Sequence, residues 1–334
     1  MSAAGRWAVM IAVPLALLYV SLFVGRFYVA PADVMHILLS RIFPVEPTWS
    51  ASVETIVMQI RLPRALMALF VGAGLAVSGA AYQGMFRNPL VSPDILGVTA
   101  ASAFGAAVAL LLSFNAFGLQ LISFSVGLLG VGLTYLLARV YRTAPLLLLV
   151  LSGVIVATFF GALLSGTKYI ADPDSKLPAI TYWLLGSLNG VSNRSLAVAL
   201  PPIILGSAGL MFSRWQLNVL AMGDEEARSL GVRTELFKGI IIVSTTLITA
   251  AAVSVCGIVG WVGLVIPHLG RMLVGPDHRL LLPAAFSLGA TYLLFIDDVA
   301  RTATVSEIPL GILTAIIGAP VFAYLLRKTR GTWH

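Results

Sequence analysis

Apolar stretches of nearly membrane-spanning length recur from one end of this sequence to the other, and they leave little choice of fold. A helix needs about 20 mostly apolar residues to cross a bilayer. Ten such runs or near-runs are read, at 8–24, 65–83, 95–113, 119–138, 145–166, 196–212, 239–256, 259–269, 280–296 and 309–326. The composition agrees: of 334 residues, 59% are hydrophobic and only 10% charged, against roughly 25% charged in a soluble domain. The expected fold class is all-α integral membrane, with about ten transmembrane helices in one domain spanning residues 1–334. No polar segment is long enough to hold a soluble catalytic or nucleotide-binding core.

The first run, Trp7 to Val24, follows Arg6 and exceeds the usual core of a secretory signal. Bulky Arg26-Phe27-Tyr28 also stand before the small residues Ala30-Pro31-Ala32, so the run is read as an uncleaved first helix. A lone cysteine, Cys256, excludes a disulfide framework and a cysteine-rich metal site. The net charge is +7, and the basic residues sit at the ends of apolar runs. That pattern sets membrane orientation and does not build a nucleic-acid-binding face. An even number of crossings puts both termini on one side, and Arg327, Lys328 and Arg330 make that side the cytoplasm. Under this topology 13 Lys and Arg lie inside and 8 outside, a bias of the right sign but modest size.

One stretch organises the rest, RLPRALMALFVGAGLAVSGAAYQGMFRNPLVSPDILG, residues 61–97. Two cations flank Pro63, which suits the first turn of a helix because its missing N–H is not needed there. Gly72, Ala76, Ala80 and Gly84 then recur every four residues and stack into one small-residue stripe. In lipid, where packing drives helix association, such a stripe lets two backbones approach closely. The span closes on Gln83, Arg87 and Asn88-Pro89-Leu90 before Pro93-Asp94 opens the next run.

This segment resembles the signature of the FecCD-type permeases, the membrane subunits of ABC importers for iron–siderophores, haem, cobalamin and, in some members, molybdate. The resemblance covers nearly the whole chain and is strongest at 61–97, 223–232, 257–283 and 294–320. It implies the type II importer architecture, working as a homodimer in the bacterial inner membrane. Implied partners are two ABC ATPase subunits, which bind the ATP and Mg, and a periplasmic or lipoprotein substrate-binding protein. This chain itself then needs no cofactor and is not an enzyme.

The resemblance also assigns residues. Arg61, Arg64 and Arg301 fall at positions that meet acidic residues of the binding protein. A charge at mid-bilayer is costly, so all three are expected at the membrane boundary. In the inner polar stretch, Asp224, Glu225, Glu226, Ala227, Arg228 and Gly231 match an EAA-type motif that grips the ATPase, though its Ile-x-Leu-Pro continuation is absent. Acids at the start of a short helix and Gly at its end suit the helix dipole and cap. Asn88, Leu90, Thr143 and Ala144 are expected to close the cytoplasmic end of a central pathway. Gly153, Thr158, Gly161 and Ser165 are expected to line it.

Other chemistries find less support. His268, Asp277 and His278 lack ligand spacing, so no metal site is expected. Gly161–Lys168 ends in Gly-Thr-Lys and lies at the outer end of a membrane helix, so it is not a phosphate-binding loop. Asp297 and Asp298 could suggest a proton relay, but Arg301 stands three residues on and favours structural pairing. An ion-coupled secondary carrier would place ion ligands at broken helices near the midplane, whereas here charges avoid the span centres. Among substrates an iron(III)–siderophore is expected first, with haem, cobalamin and molybdate as alternatives.

Overall fold

Helix follows helix through the described residues, 3–44, 46–139 and 145–328 of a computed structural model, with no strand among them. In order they are α1 (Ala3–Phe23), α2 (Pro31–Leu39), α3 (Ala51–Thr55), α4 (Leu62–Met85), α5 (Val98–Leu111), α6 (Ala116–Ala138), α7 (Leu146–Ile170) and α8 (Lys176–Leu184). There follow α9 (Asn193–Phe212), α10 (Arg214–Leu220), α11 (Asp224–Ser229), α12 (Thr234–Cys256), α13 (Val262–Val274), α14 (His278–Thr302) and α15 (Leu310–Lys328). Six stretches are long and apolar enough to cross a membrane, and four shorter apolar helices of 10–17 residues join them. These fall on the ten runs read from the sequence. Polar side chains cap several starts: Asn115 Oδ1 accepts from Gly118 N at 2.8 Å before α6, and Ser192 Oγ from Ser195 N at 3.2 Å before α9.

The helical stretch Ala51–Met85 is the axis of the molecule, with 89% of its apolar window buried against 33% for α6 and 28% for α7. Helices α14, α13, α12 and α9 all pack on it. The small-residue stripe explains the closeness. Gly72 and Gly289 meet backbone to backbone, Ala76 lies on Gly289, and Gly84 lies on the His278 ring. All of these face α14. A second glycine contact, Gly79 on Gly263, joins α4 to α13.

Two details differ from the sequence reading. The central helix does not begin at Arg61 but continues from Ala51 through a π-turn at Ile56–Arg61. There the Leu62 N–H reaches back to Val57 O, so the helix passes Pro63 without stopping. Also, α5 starts only at Val98, because residues 86–97 fold back into the bundle, where Pro93 packs on Gly263 and Ile95 on Gly153.

A second irregular segment breaks the chain between α12 and α13. Gly257 and Trp261 take φ of 69° and 68°, the left-handed region, and the backbone between them runs as a non-helical link. Irregular backbone at membrane depth persists only when its polar groups are satisfied within the protein. Ser187 N donates to Cys256 O at 2.9 Å, Leu310 N to Gly186 O at 2.8 Å and Gly311 N to Leu185 O at 3.0 Å. Three breaks in three different helical connections thus satisfy one another.

Candidate functional site

One end of the bundle carries the starts of α1 and α14, the end of α15 and the paired short helices α10 and α11. That pair forms an elbow. Asp224, Glu225 and Glu226 fill the first turn of α11, and Gly231, at φ 79°, follows its end. Ala227 is fully buried and anchors the elbow to the core, while Glu225, Glu226 and Arg228 point outward. Lys238 of α12, itself buried, donates to Asp224 at 2.5 Å and to Glu235 at 3.5 Å, tying the elbow to the next span. Arg228 donates to Thr234 Oγ1 at 3.3 Å. Around the acids stand exposed Met222 (60%) and Leu230 (57%). The elbow thus offers large apolar side chains beside its acids on one exposed turn.

Behind the elbow, Asp277 caps α14 by accepting from Arg279 N at 2.9 Å and from the Asn218 amide at 2.6 Å. Those two donors hold its carboxyl below the usual carboxylate range. Next to it, residues 88–91 form a tight turn, in which Leu90 N donates to Asn88 Oδ1 at 2.9 Å and Val91 N to Asn88 O at 3.3 Å. Leu90 is 56% exposed at the tip. Thr143 and Ala144, expected to face this turn, lie outside the described residues.

The opposite end holds the three arginines expected at the membrane boundary, and in this chain their side chains turn inward. Arg61, Arg64 and Arg301 are buried, at 5%, 8% and 8% exposed. Arg64 makes two forked contacts, to Asp297 at 2.9–3.0 Å and to Glu307 at 2.9–3.0 Å. Arg301 pairs with Asp298, as the three-residue spacing implies, and donates to Ser21 O at 2.5 Å and Val24 O at 2.6 Å. Arg61 donates to Leu22 O at 2.9 Å and to Phe27 O. The reason is electrostatic and steric at once. The end of α1 leaves carbonyls without helical partners, α14 brings two buried carboxylates, and the guanidinium forks satisfy both. What these bonds present outward is the loop 26–28, with Arg26 exposed and Phe27 and Tyr28 at 51% and 80%.

Of the four residues expected along a pathway on α7, Thr158, Gly161 and Ser165 share one partly open face. Gly153 does not belong with them. It is buried against the Ile95 carbonyl, and a Cβ there would overlap that oxygen. Its role is to admit the re-entrant loop. A cavity of about 270 Å³ opens between that loop, α12 and the broken segment, with Ser92, Asp94, Thr99, Thr249 and Trp261 on its wall.

Comparison with known proteins decides the family. The FecCD transport family model matches residues 13–328. The chain belongs to the FecCD transport family. Within it, the molybdate import system permease protein MolB of Haemophilus influenzae is 41% identical over 313 residues, covering 93% of this chain and 92% of that one. The cobalamin import system permease protein BtuC of Halobacterium salinarum is 42% identical, covering 82% of this chain and 74% of that one. A solved structure described as an inward-facing conformation of a metal-chelate type ABC transporter superposes with a TM-score of 0.86 at 39% identity, covering 97% of this chain and 99% of that chain. This FecCD chain is thus an ABC importer permease, a multi-pass membrane protein whose ATPase is a separate subunit.

The sequence reading of this FecCD chain missed three contributors. Glu307 stands 243 residues from its partner Arg64, and no local spacing announces the pair. The run Arg26-Phe27-Tyr28 was visible as an aromatic and basic cluster just past an apolar run, a pattern that belongs at an interface. Asn218 carried no sequence signal beyond its place in a polar stretch.

Proposed function

We propose that this chain is the translocation subunit of a binding-protein-dependent importer, assembled as a homodimer with two ATPase subunits at its elbows. The elbow carries this reading: a short helix whose Ala227 is locked in the core while Glu225, Glu226, Met222 and Leu230 project outward. Such a shape transmits force from a docked partner into α12 through the Lys238–Asp224 pair. With the ATPases on the cytoplasmic side, both termini are cytoplasmic. The binding protein then docks on the far end, where Arg61, Arg64 and Arg301 fix the shape of the rim and the loop 26–28 is offered for contact. Asn88 and Leu90, with Thr143 and Ala144, close the inner end of the pathway. Thr158, Gly161 and Ser165 line it, and alternating access carries the solute through the dimer axis.

The proposed cargo is a metal-bearing solute, first an iron(III)–siderophore. Molybdate is a second reading, favoured by the similarity to MolB along nine-tenths of both chains. Isolation of the cognate binding protein with its ligand tests the cargo directly, because specificity resides there. A bound ferric chelate supports the first reading and a bound oxyanion the second. The elbow is tested by Glu226→Lys, which is expected to lower transport per ATP hydrolysed in the reconstituted importer. Normal coupling in that variant would contradict the assignment.

A further inference from the structure

The elbow and the turn at 88–91 lie far apart in sequence, yet a short line of hydrogen bonds and one packing contact joins them. Asn218, on α10, uses its whole amide. Its Oδ1 accepts from the His278 backbone N at 2.8 Å and lies 2.8 Å from His278 Nδ1, while Nδ2 donates to Asp277 Oδ1 at 2.6 Å. One side chain therefore clamps the elbow to the first turn of α14. The His278 ring, only 6% exposed, rests on Gly84, where any Cβ would overlap it. The adjoining Gln83 carries the turn. Its backbone O accepts from Asn88 N at 3.1 Å, its Nε2 donates to Val91 O at 3.1 Å, and its Oε1 accepts from Arg271 Nη2 at 2.5 Å. On the other side of the same helix end, Gly223 of the elbow lies against Arg87, which leaves α4 at a positive φ of 51°.

We propose that Asn218 and His278 are positioning residues that carry displacement of the elbow to the 88–91 turn, through the last turn of α4. The inference rests on the elbow being the ATPase contact. Interiors packed at crystal-like density pass strain between neighbours and do not absorb it. Three hydrogen bonds from one amide hold the elbow and the start of α14 to each other, so the two shift together while those bonds last. When the elbow moves, the amide of Asn218 pulls the cap of α14, and the His278 ring presses on Gly84. Gln83 then carries the turn with it. A clamp of this kind needs hydrogen bonds but not charge at Asp277, since an amide oxygen accepts from the same two donors.

The test uses the permease assembled with its ATPase subunit in lipid nanodiscs. Leu90→Cys carries a spin label, and Cys256, at 2% exposed, does not compete for it. In the otherwise unsubstituted complex, trapping with ATP and vanadate is expected to shift the label's mobility. Asp277→Ala is expected to keep the ATPase bound and hydrolysing with the shift lost, and Asn218→Ala, within the elbow itself, is expected to lose the shift as well. Asp277→Asn is expected to retain it, a rescue that a merely structural role of the charge would not give. A shift that survives in either alanine variant, or one lost equally in Asp277→Asn, overturns the proposal. So does an unsubstituted complex that holds its ATPase but shows no shift. If the ATPase fails to co-purify with the unsubstituted chain, the docking reading itself fails, which is a separate result. Where Asn218→Ala lowers the melting temperature, the comparison of Asp277→Ala with Asp277→Asn decides.

Discussion

Arg64 shows how much one side chain can be asked to hold. Its guanidinium neutralises Asp297, 1% exposed, and reaches Glu307 in the link between α14 and α15. Removing one member of a buried pair leaves the other charge uncompensated, at a cost of about 3–5 kcal/mol. Arg64→Ala is therefore expected to lower the melting temperature sharply, read by the reaction of a thiol dye with Cys256 as the fold opens. Removing the charge at both ends, as Arg64→Met with Asp297→Leu, is expected to recover most of that loss. Equal losses in the single and double variants would contradict the pairing. The same geometry changes what Arg301→Glu reports: a third carboxylate beside Asp297 and Asp298 disrupts folding, so that variant does not measure docking. The pairing of Asp298 with Arg301 was legible because three residues is one helical turn. The Arg64 network was not, because its members come from two helices and a distant link that only the folded bundle brings together.

Among the elements, the breaks and the glycine contacts set how the helices lie. Gly72 against Gly289 and Gly79 against Gly263 let α4 approach two neighbours at once. A large residue there forces the backbones apart, costing at least about 1–3 kcal/mol. Gly79→Leu and Gly72→Leu are expected to lose folded protein in detergent, measured as the monodisperse fraction on size exclusion. Gly132→Ala, where nothing stands within 4 Å, is expected to be neutral or slightly stabilising, since Ala favours a helix over Gly by roughly 0.5–1 kcal/mol. A similar loss in all three would argue against specific packing. The four-residue stripe and the ten apolar runs were readable, because helical period and bilayer thickness act on local sequence. The π-turn at Ile56–Arg61 and the re-entrant course of 86–97 were not. Both depend on partners, α1 and Gly153 among them, that periodicity does not name. For the same reason Gly153 was placed in a pathway when it makes room for a loop.

For the molecule as a whole, the two ends have different tasks. One end is stiffened by an internal salt-bridge network and shows an aromatic rim, and the other extends an acidic elbow from a buried alanine. Three interrupted connections satisfy one another's backbone, and one of them, 257–261, also borders the cavity. Among the described residues nothing resembles a site for nucleotide chemistry, and the family relation places that chemistry in another subunit. On the proposed reading, motive force enters through the elbow. The most direct measurement is uptake into proteoliposomes of the solute eluted from the cognate binding protein, with and without the ATPase subunit. Accumulation is expected only when ATPase, ATP and binding protein are all present, and to fall relative to ATP hydrolysed with Glu226→Lys. Accumulation by this chain alone, driven by a proton or sodium gradient, would contradict the account.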